Sequence, residues 1–207
     1  MSQIDWSHPE PRRGLAGALD RLTGPGAEPA EAALQFGVAF LAATAAWFWY
    51  RNAAAGAPWM AGLAAFLAFD IAGGVVTNAT STAKRWFHRK GEGFAAHFRF
   101  QALHLVHITL LAFVFGHNDW LFLAVLSATL IGCSVAILLT PLYLKRPISM
   151  ALYGVVVVAL PLLVSTPIGM EWFIPLFYLK LLVSHLVPEE PYRRSGPASA
   201  VQETTDG

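Results

Sequence analysis

Three histidines recur at helical spacing within an apolar stretch of this sequence, at His97, His104 and His107. Offsets of seven and ten residues, at about 100° per residue, place them within an arc of about 80° on one helix face. Imidazole nitrogens ligate transition metals and exchange protons near neutral pH. The spacing therefore predicts an inward-facing histidine stripe that binds a metal or carries protons.

A carboxylate, an amine and a fourth histidine lie in two other apolar segments, at Asp70, Lys180 and His185. An unpaired charge inside a membrane or a protein core is costly. We therefore expect Lys180 to form an ion pair with Asp70. On a regular helix, Lys180 and His185 lie about 140° apart, which predicts that they cannot both point at the same spot.

These residues supply nitrogen and oxygen ligands that zinc, iron or manganese would accept. We predict a divalent metal site at His97, His104, His107 and His185, with acid–base chemistry at Asp70, His104 and His107. Haem is the less favoured cofactor, because the only candidate axial pair, His104 and His185, differs in depth. The sequence lacks the His-Glu-x-x-His zinc-protease signature and the closely spaced histidine boxes of membrane desaturases.

The composition indicates the elements that position these residues. Hydrophobic residues make up 56% of the 207 positions and charged residues 13%, against about 45–50% and about 25% in soluble domains. A membrane-spanning helix needs about 20 apolar residues. Six segments qualify, at 33–50, 57–78, 98–116, 120–140, 147–165 and 169–187. The sequence therefore predicts an all-α transmembrane bundle of six helices within residues 33–187.

Lysine and arginine are distributed asymmetrically among the predicted loops, with Arg51 alone on one side of the bundle. The other side carries Arg12, Arg13, Arg21, Lys84, Arg85, Arg89, Lys90, Lys145, Arg146, Arg193 and Arg194. Such an excess marks cytoplasmic loops. We therefore predict a multi-pass protein of the cytoplasmic (inner) membrane with both termini in the cytosol.

The two ends of the chain are more polar than the segments between them. Residues 1–32 are predicted to be a cytosolic segment in which Leu15, Leu19 and Leu22 form one stripe of an interfacial helix. Residues 188–207 are predicted to be a disordered cytosolic tail. The net charge of +1 provides no basic excess for nucleic acid. The expected partners are the lipid bilayer and a lipophilic substrate.

Three segments resemble uncharacterised bacterial integral membrane proteins: residues 70–80, Trp86-Phe87-His88-Arg89 and residues 172–193. The resemblance implies a bacterial cytoplasmic membrane protein of this helical layout. It carries no known activity, cofactor or catalytic residue.

Three classes of function fit these residues. The leading prediction is a buried His/Asp site in the cytosolic half of the bundle that acts on a lipophilic or lipid-bound substrate with a metal or by proton coupling. A small transporter would use the same groups as a proton relay. A non-catalytic scaffold or assembly subunit would use them for helix pairing. The sequence specifies neither the reaction nor the oligomeric state.

Overall fold

A computed structural model describes residues 2–54 and 56–194 of the chain, and the regular secondary structure of these residues is helical apart from two short strands. The helices are α1 (Gly14–Thr23), α2 (Pro29–Ala53), α3 (Pro58–Ala79), α4 (Ser81–Phe87), α5 (Phe94–Leu103), α6 (Leu105–Leu110), α7 (Trp120–Leu139), α8 (Leu142–Leu163) and α9 (Phe173–Tyr178). The π-helical segments Leu111–Phe115 and Leu179–His185 continue α6 and α9. The strands are β1 (Ser2–Ile4) and β2 (Tyr192–Arg194).

Five helical stretches are long and apolar enough to cross a membrane, namely α2, α3, Phe94–Phe115, α7 and α8. They correspond to the first five predicted segments. The sixth apolar segment forms a shorter helix, Phe173–His185. Its predicted beginning is instead a turn in which Gly169 adopts φ +83° and packs against Tyr50.

Helix α3 packs closely against α2 on one side and against the π-helical segment Leu179–His185 on another. A Cβ atom added to Gly73 would lie 2.8 Å from the Cβ of Ala39 on α2, so a glycine is needed where the two helices meet. Large buried side chains fill the centre of the bundle, including Leu67, Ile71, Phe122, Phe173 and Phe177. This core holds α3 in place as the wall from which Asp70 projects.

Residues from both ends of the chain meet at one end of the bundle. Strand β1 pairs antiparallel with β2, and the amide of Asp5 donates to the carbonyl of Pro191 at 2.9 Å. Helix α4 joins them, since the indole of Trp86 donates to the carbonyl of Arg21 at 3.2 Å. We call residues 2–28, 80–93 and 187–194 the terminal layer. The rest of the predicted disordered tail, from residue 195, lies outside the described residues.

Helix α1 in the terminal layer exposes the leucine stripe that the sequence indicates. Leu15 is 92% exposed, Leu22 is 69% exposed and Leu19 is 41% exposed. On the opposite side of the helix, Asp20 accepts hydrogen bonds from the backbone and the guanidinium of Arg12. These bonds lower the pKa of Asp20 to about 2. The apolar stripe is therefore an exposed face of α1.

Candidate functional site

An ion pair links α3 to the π-helical segment that follows α9. Lys180 Nζ donates to Asp70 Oδ2 at 2.7 Å, and His107 Nε2 on α6 donates to the same oxygen at 2.9 Å. The Lys180 side chain is 4% exposed, whereas that of Asp70 is 40% exposed. The predicted pair of Asp70 and Lys180 thus forms, and His107 joins it as a third member.

Gly74 provides the space through which Lys180 reaches Asp70. A Cβ atom added to Gly74 would lie 2.9 Å from both the Cδ and the Nζ of Lys180, which is closer than real Cβ contacts allow. The two neighbouring glycines of α3 therefore have different roles, because Gly73 admits α2 and Gly74 admits the lysine.

The π-helical segment Leu179–His185 brings Lys180 and His185 to the same neighbouring helix. In a π-helix the residue five positions ahead lies about one turn away, because hydrogen bonds join i and i+5. Lys180 contacts Asp70, and His185 Nδ1 lies 3.5 Å from Asn78 Oδ1, also on α3. The two side chains contact positions eight residues apart on α3, so they share a neighbouring helix but do not point at the same spot.

His104 lies at the break between α5 and α6. Its backbone N–H bonds to the carbonyl of Gln101 at 3.0 Å, while its ring Nδ1 donates to the carbonyl of Phe100 at 2.8 Å. The ring thus takes the carbonyl that the backbone amide of a continuous α-helix would use. Because Nδ1 carries the proton, Nε2 of neutral His104 is an unprotonated acceptor.

This break divides the predicted histidine stripe into two groups. His104 stacks on His107 with ring centroids 5.1 Å apart, next to Asp70. His97 instead places Nδ1 3.1 Å from His185 Nε2. We call Asp70, Lys180, His104 and His107 the ion-pair cluster, and His88, His97 and His185 the imidazole cluster. The prediction of one continuous stripe is corrected, because α5 does not continue unbroken into α6.

The ring of Phe100 separates the two clusters. It stacks on His185 with centroids 3.8 Å apart and lies 4.5 Å from His104. Among the residues described, no group of three or more His, Cys, Asp or Glu side chains is placed to hold a metal ion. The predicted metal site at His97, His104, His107 and His185 is therefore not assembled. The haem alternative stays a prediction, and Phe100 contacts both of its candidate axial residues, His104 and His185.

Two side chains of the terminal layer cap the end of the π-helical segment. Lys84 Nζ donates to the carbonyls of Ser184 at 2.6 Å and Val187 at 2.5 Å. His88 Nε2 donates to the carbonyl of His185 at 3.0 Å. These carbonyls lie at the C-terminal end of the helix, where no backbone amide of the helix itself is available to donate to them. The segment that carries Lys180 and His185 is thus fixed at its end by α4.

Burial lowers the pKa of both capping groups. It lowers the pKa of Lys84 to about 8, although Glu189 opposes the change. It also lowers the pKa of His88 to about 3, with further contributions from nearby His97 and Lys84. His88 is therefore neutral at physiological pH and stacks on His97 with centroids 4.7 Å apart. The sequence placed Lys84 and His88 only in a basic loop, and their spacing gave no signal of this role.

A cavity of about 530 Å³ adjoins the ion-pair cluster between α2, α3 and α5. It is bordered by exposed side chains such as Phe66 and Leu103, which are 65% and 72% exposed. The apolar part of its lining is Leu19, Leu22, Phe36, Ala39, Phe66, Phe69, Phe87, Phe100 and Leu103. The cavity, here called the lateral cavity, therefore opens sideways from the bundle and is suited to a lipophilic molecule.

Two acceptor atoms of the ion-pair cluster belong to side chains that line the lateral cavity. One is Asp70 Oδ1, since Lys180 and His107 both bind Oδ2 and no described residue donates to Oδ1. The other is His104 Nε2, whose ring is anchored through Nδ1. A hydroxyl or another neutral donor would satisfy either atom. The arrangement can bind such a donor and accept a proton from it.

Comparisons with protein-family models, with curated proteins and with solved structures find no match to this chain. Its class therefore rests on its own fold, which is that of an α-helical membrane protein with five helices of membrane-spanning length. Its distinguishing feature is a charged cluster at an apolar lateral cavity. The resemblance to bacterial integral membrane proteins stays a prediction.

Proposed function

We propose that this protein binds a lipophilic phenol in the lateral cavity and exchanges a proton with its hydroxyl group. The observation that carries this proposal is the pair of unsatisfied acceptors, Asp70 Oδ1 and His104 Nε2, beside an apolar lining. Lys180 balances the charge of Asp70. A neutral hydrogen-bond donor therefore fits the cavity better than an ion, whose own charge would remain unpaired.

The chemistry of the hydroxyl group favours a phenol over an aliphatic alcohol. His104 would accept the proton at Nε2, while its Nδ1–H bond to the Phe100 carbonyl fixes the ring. A phenolic hydroxyl of the tyrosine type has a pKa of about 10. This pKa is much closer to that of imidazole than the pKa of an aliphatic alcohol is. The aromatic side chains Phe36, Phe66 and Phe69 offer partners for a phenol ring. Asp70 would orient the hydroxyl as a second acceptor.

Photoaffinity labelling with a diazirine-bearing long-chain alkylphenol in proteoliposomes tests the proposal. We expect saturable labelling that maps to peptides of α3 and α5 and is displaced by unlabelled alkylphenol, but not by its methyl ether. His104→Gln should weaken binding by about tenfold, the equivalent of one hydrogen bond. His117→Gln, in an exposed loop, is the matched control. Equal displacement by the methyl ether, or labelling elsewhere, would contradict the proposal.

The proposed function includes a topology of six membrane crossings with both termini in the cytosol of a bacterial cell. The pairing of β1 with β2 and the lysines and arginines of the terminal layer support it. In this topology the short helix Phe173–His185 makes the sixth crossing together with the turn before it. Reporter fusions after Gly91 and Gly207 should read cytosolic, and fusions after Gly56 and Asn118 external. A reversal at any site would contradict it.

A further inference from the structure

A cavity of about 480 Å³ lies next to the terminal layer, where α3 ends and α8 begins. Ala79, the last residue of α3, and Leu142, the first residue of α8, both line it. Because both helices have membrane-spanning length, their ends lie at the level of the headgroups of a surrounding bilayer. Leu142 and the neighbouring Tyr143 are exposed, so the start of α8 offers apolar surface to acyl chains. We call this cavity the headgroup cavity.

The lining of the headgroup cavity includes a buried cation. Lys84 lines the cavity and is only 2% exposed. Its ammonium group has three N–H donors, and the carbonyls of Ser184 and Val187 take two of them. Among the residues that the structure describes, no carboxylate forms an ion pair with Lys84. Neutral carbonyls compensate a buried charge only in part, so Lys84 offers a charge and a donor to an anion.

The other charged side chains of the headgroup cavity carry both signs. Lys145 and Arg146 come from α8, while Glu189 and Glu190 come from the segment after the π-helical turn. Arg146 Nη1 lies 3.9 Å from Glu189 Oε1. Within the described part of the chain, the only hydrogen-bond donor to the Glu190 side chain is the hydroxyl of Tyr192, at 3.4 Å. A purely anionic ligand would be repelled by Glu190, and a purely cationic one by the buried ammonium. The lining therefore fits a ligand that carries both charges.

We propose that the headgroup cavity binds a phospholipid with a primary ammonium group next to its phosphate, as in phosphatidylethanolamine. The phosphate accepts hydrogen bonds from Lys84 and Lys145, and the ammonium group donates to Glu190. Each charge of the headgroup then meets an opposite charge, and the acyl chains leave along Leu142. No residue lines both this cavity and the lateral cavity. The lipid site is therefore separate from the site proposed for the phenol.

Native mass spectrometry of the full-length protein in detergent tests the choice of headgroup without any substitution. The protein is titrated with phosphatidylethanolamine, phosphatidylcholine and phosphatidylglycerol that carry identical acyl chains. We expect phosphatidylethanolamine to bind about tenfold more tightly than either of the others. The choline nitrogen has no N–H group to donate, and the glycerol headgroup has no cation. Equal affinities for the three lipids, tighter binding of phosphatidylglycerol, or inorganic phosphate that binds as tightly as the lipid would overturn the proposal.

Two substitutions in the same titration locate the site and leave the capping residue Lys84 intact. Lys145→Gln should weaken the binding of phosphatidylethanolamine by about tenfold, because it removes a charged donor to the phosphate. Glu190→Gln should remove the preference for ethanolamine over choline. Lys90→Gln, in an exposed turn of the terminal layer, is the matched control and should bind as the wild type does. Wild-type affinity and preference in both Lys145→Gln and Glu190→Gln would overturn the proposal, whereas alkylphenol labelling tests the lateral cavity independently.

Discussion

The ion-pair cluster and the imidazole cluster share histidine as a residue type, but they are held together by different interactions. Asp70 and Lys180 bring formal charges into an apolar bundle, and each charge is compensated by the other. His97 and His185 contact each other through a directional hydrogen bond, and no carboxylate of the described residues bonds to either ring. A histidine beside a carboxylate and a histidine beside another histidine therefore differ in their electrostatic surroundings, although the sequence pattern treats them alike.

This difference determines how each cluster should respond to substitution. Removing one partner of a buried ion pair leaves a charge uncompensated and costs about 3–5 kcal/mol. Removing one neutral hydrogen-bonding group leaves a polar atom unsatisfied and costs about 1–3 kcal/mol. The ion-pair cluster should therefore dominate the stability of the bundle, and the imidazole cluster should contribute less to it.

The largest expected effect follows from Asp70→Asn. This variant leaves the ammonium group of Lys180, which is 4% exposed, without its counter-charge. We expect the free energy of unfolding to fall by about 3–5 kcal/mol, as measured by denaturant unfolding in detergent micelles.

A second substitution distinguishes the loss of a charge partner from a general packing defect. Asp70→Asn combined with Lys180→Met removes both charges, so the double variant should recover part of the lost stability. If the two substitutions instead add independently, the ion pair does not stabilise the bundle and the comparison between the clusters fails.

An intermediate effect is expected when acid brings charge to the imidazole cluster. The pKa of His88 is lowered from 6.5 to about 3 by burial, so the unfolded chain binds a proton between these values and the folded protein does not. Stability should therefore decrease as the pH falls from about 6.5 towards 3.

A single substitution isolates the contribution of His88 to this acid sensitivity. A tenfold change in proton affinity corresponds to about 1.4 kcal/mol. Allowing for partial solvent screening of this ring, we expect about 1–3 kcal/mol more loss between pH 7 and pH 4 in the wild type than in His88→Gln. Thermal unfolding at both pH values measures it. Parallel pH profiles in the two proteins would show that His88 is not the group responsible.

The smallest effect is expected for Gly74→Ala. The added methyl group would displace the end of the Lys180 side chain, which is flexible, so we expect a loss of about 1–2 kcal/mol. Gly154→Ala on α8 is the matched control, since its added Cβ meets nothing within 4 Å. If the two variants are equally stable in unfolding measurements, Gly74 is not needed for the approach of Lys180.

The sequence predicted the membrane-length helices because their signal is local. About 20 consecutive apolar residues define such a helix without knowledge of its neighbours, and α2, α3, Phe94–Phe115, α7 and α8 all meet this criterion. The cost of an unpaired buried charge also constrains which residues pair, since few acidic residues were within reach of Lys180. The pair of Asp70 and Lys180 was predictable for this reason.

Only the tertiary structure decided how the histidines are grouped. The 100° rotation per residue that underlies the predicted stripe fails where the ring of His104 replaces its own backbone amide. It fails again in the π-helical segment, where Lys180 and His185 turn towards the same helix. The first departure is a local hydrogen bond from the His104 ring to the carbonyl four residues back, whereas the second accompanies contacts with α3, which is distant in the chain. Composition and spacing therefore determined which residues enter the membrane core, whereas contacts between helices determined which of them meet.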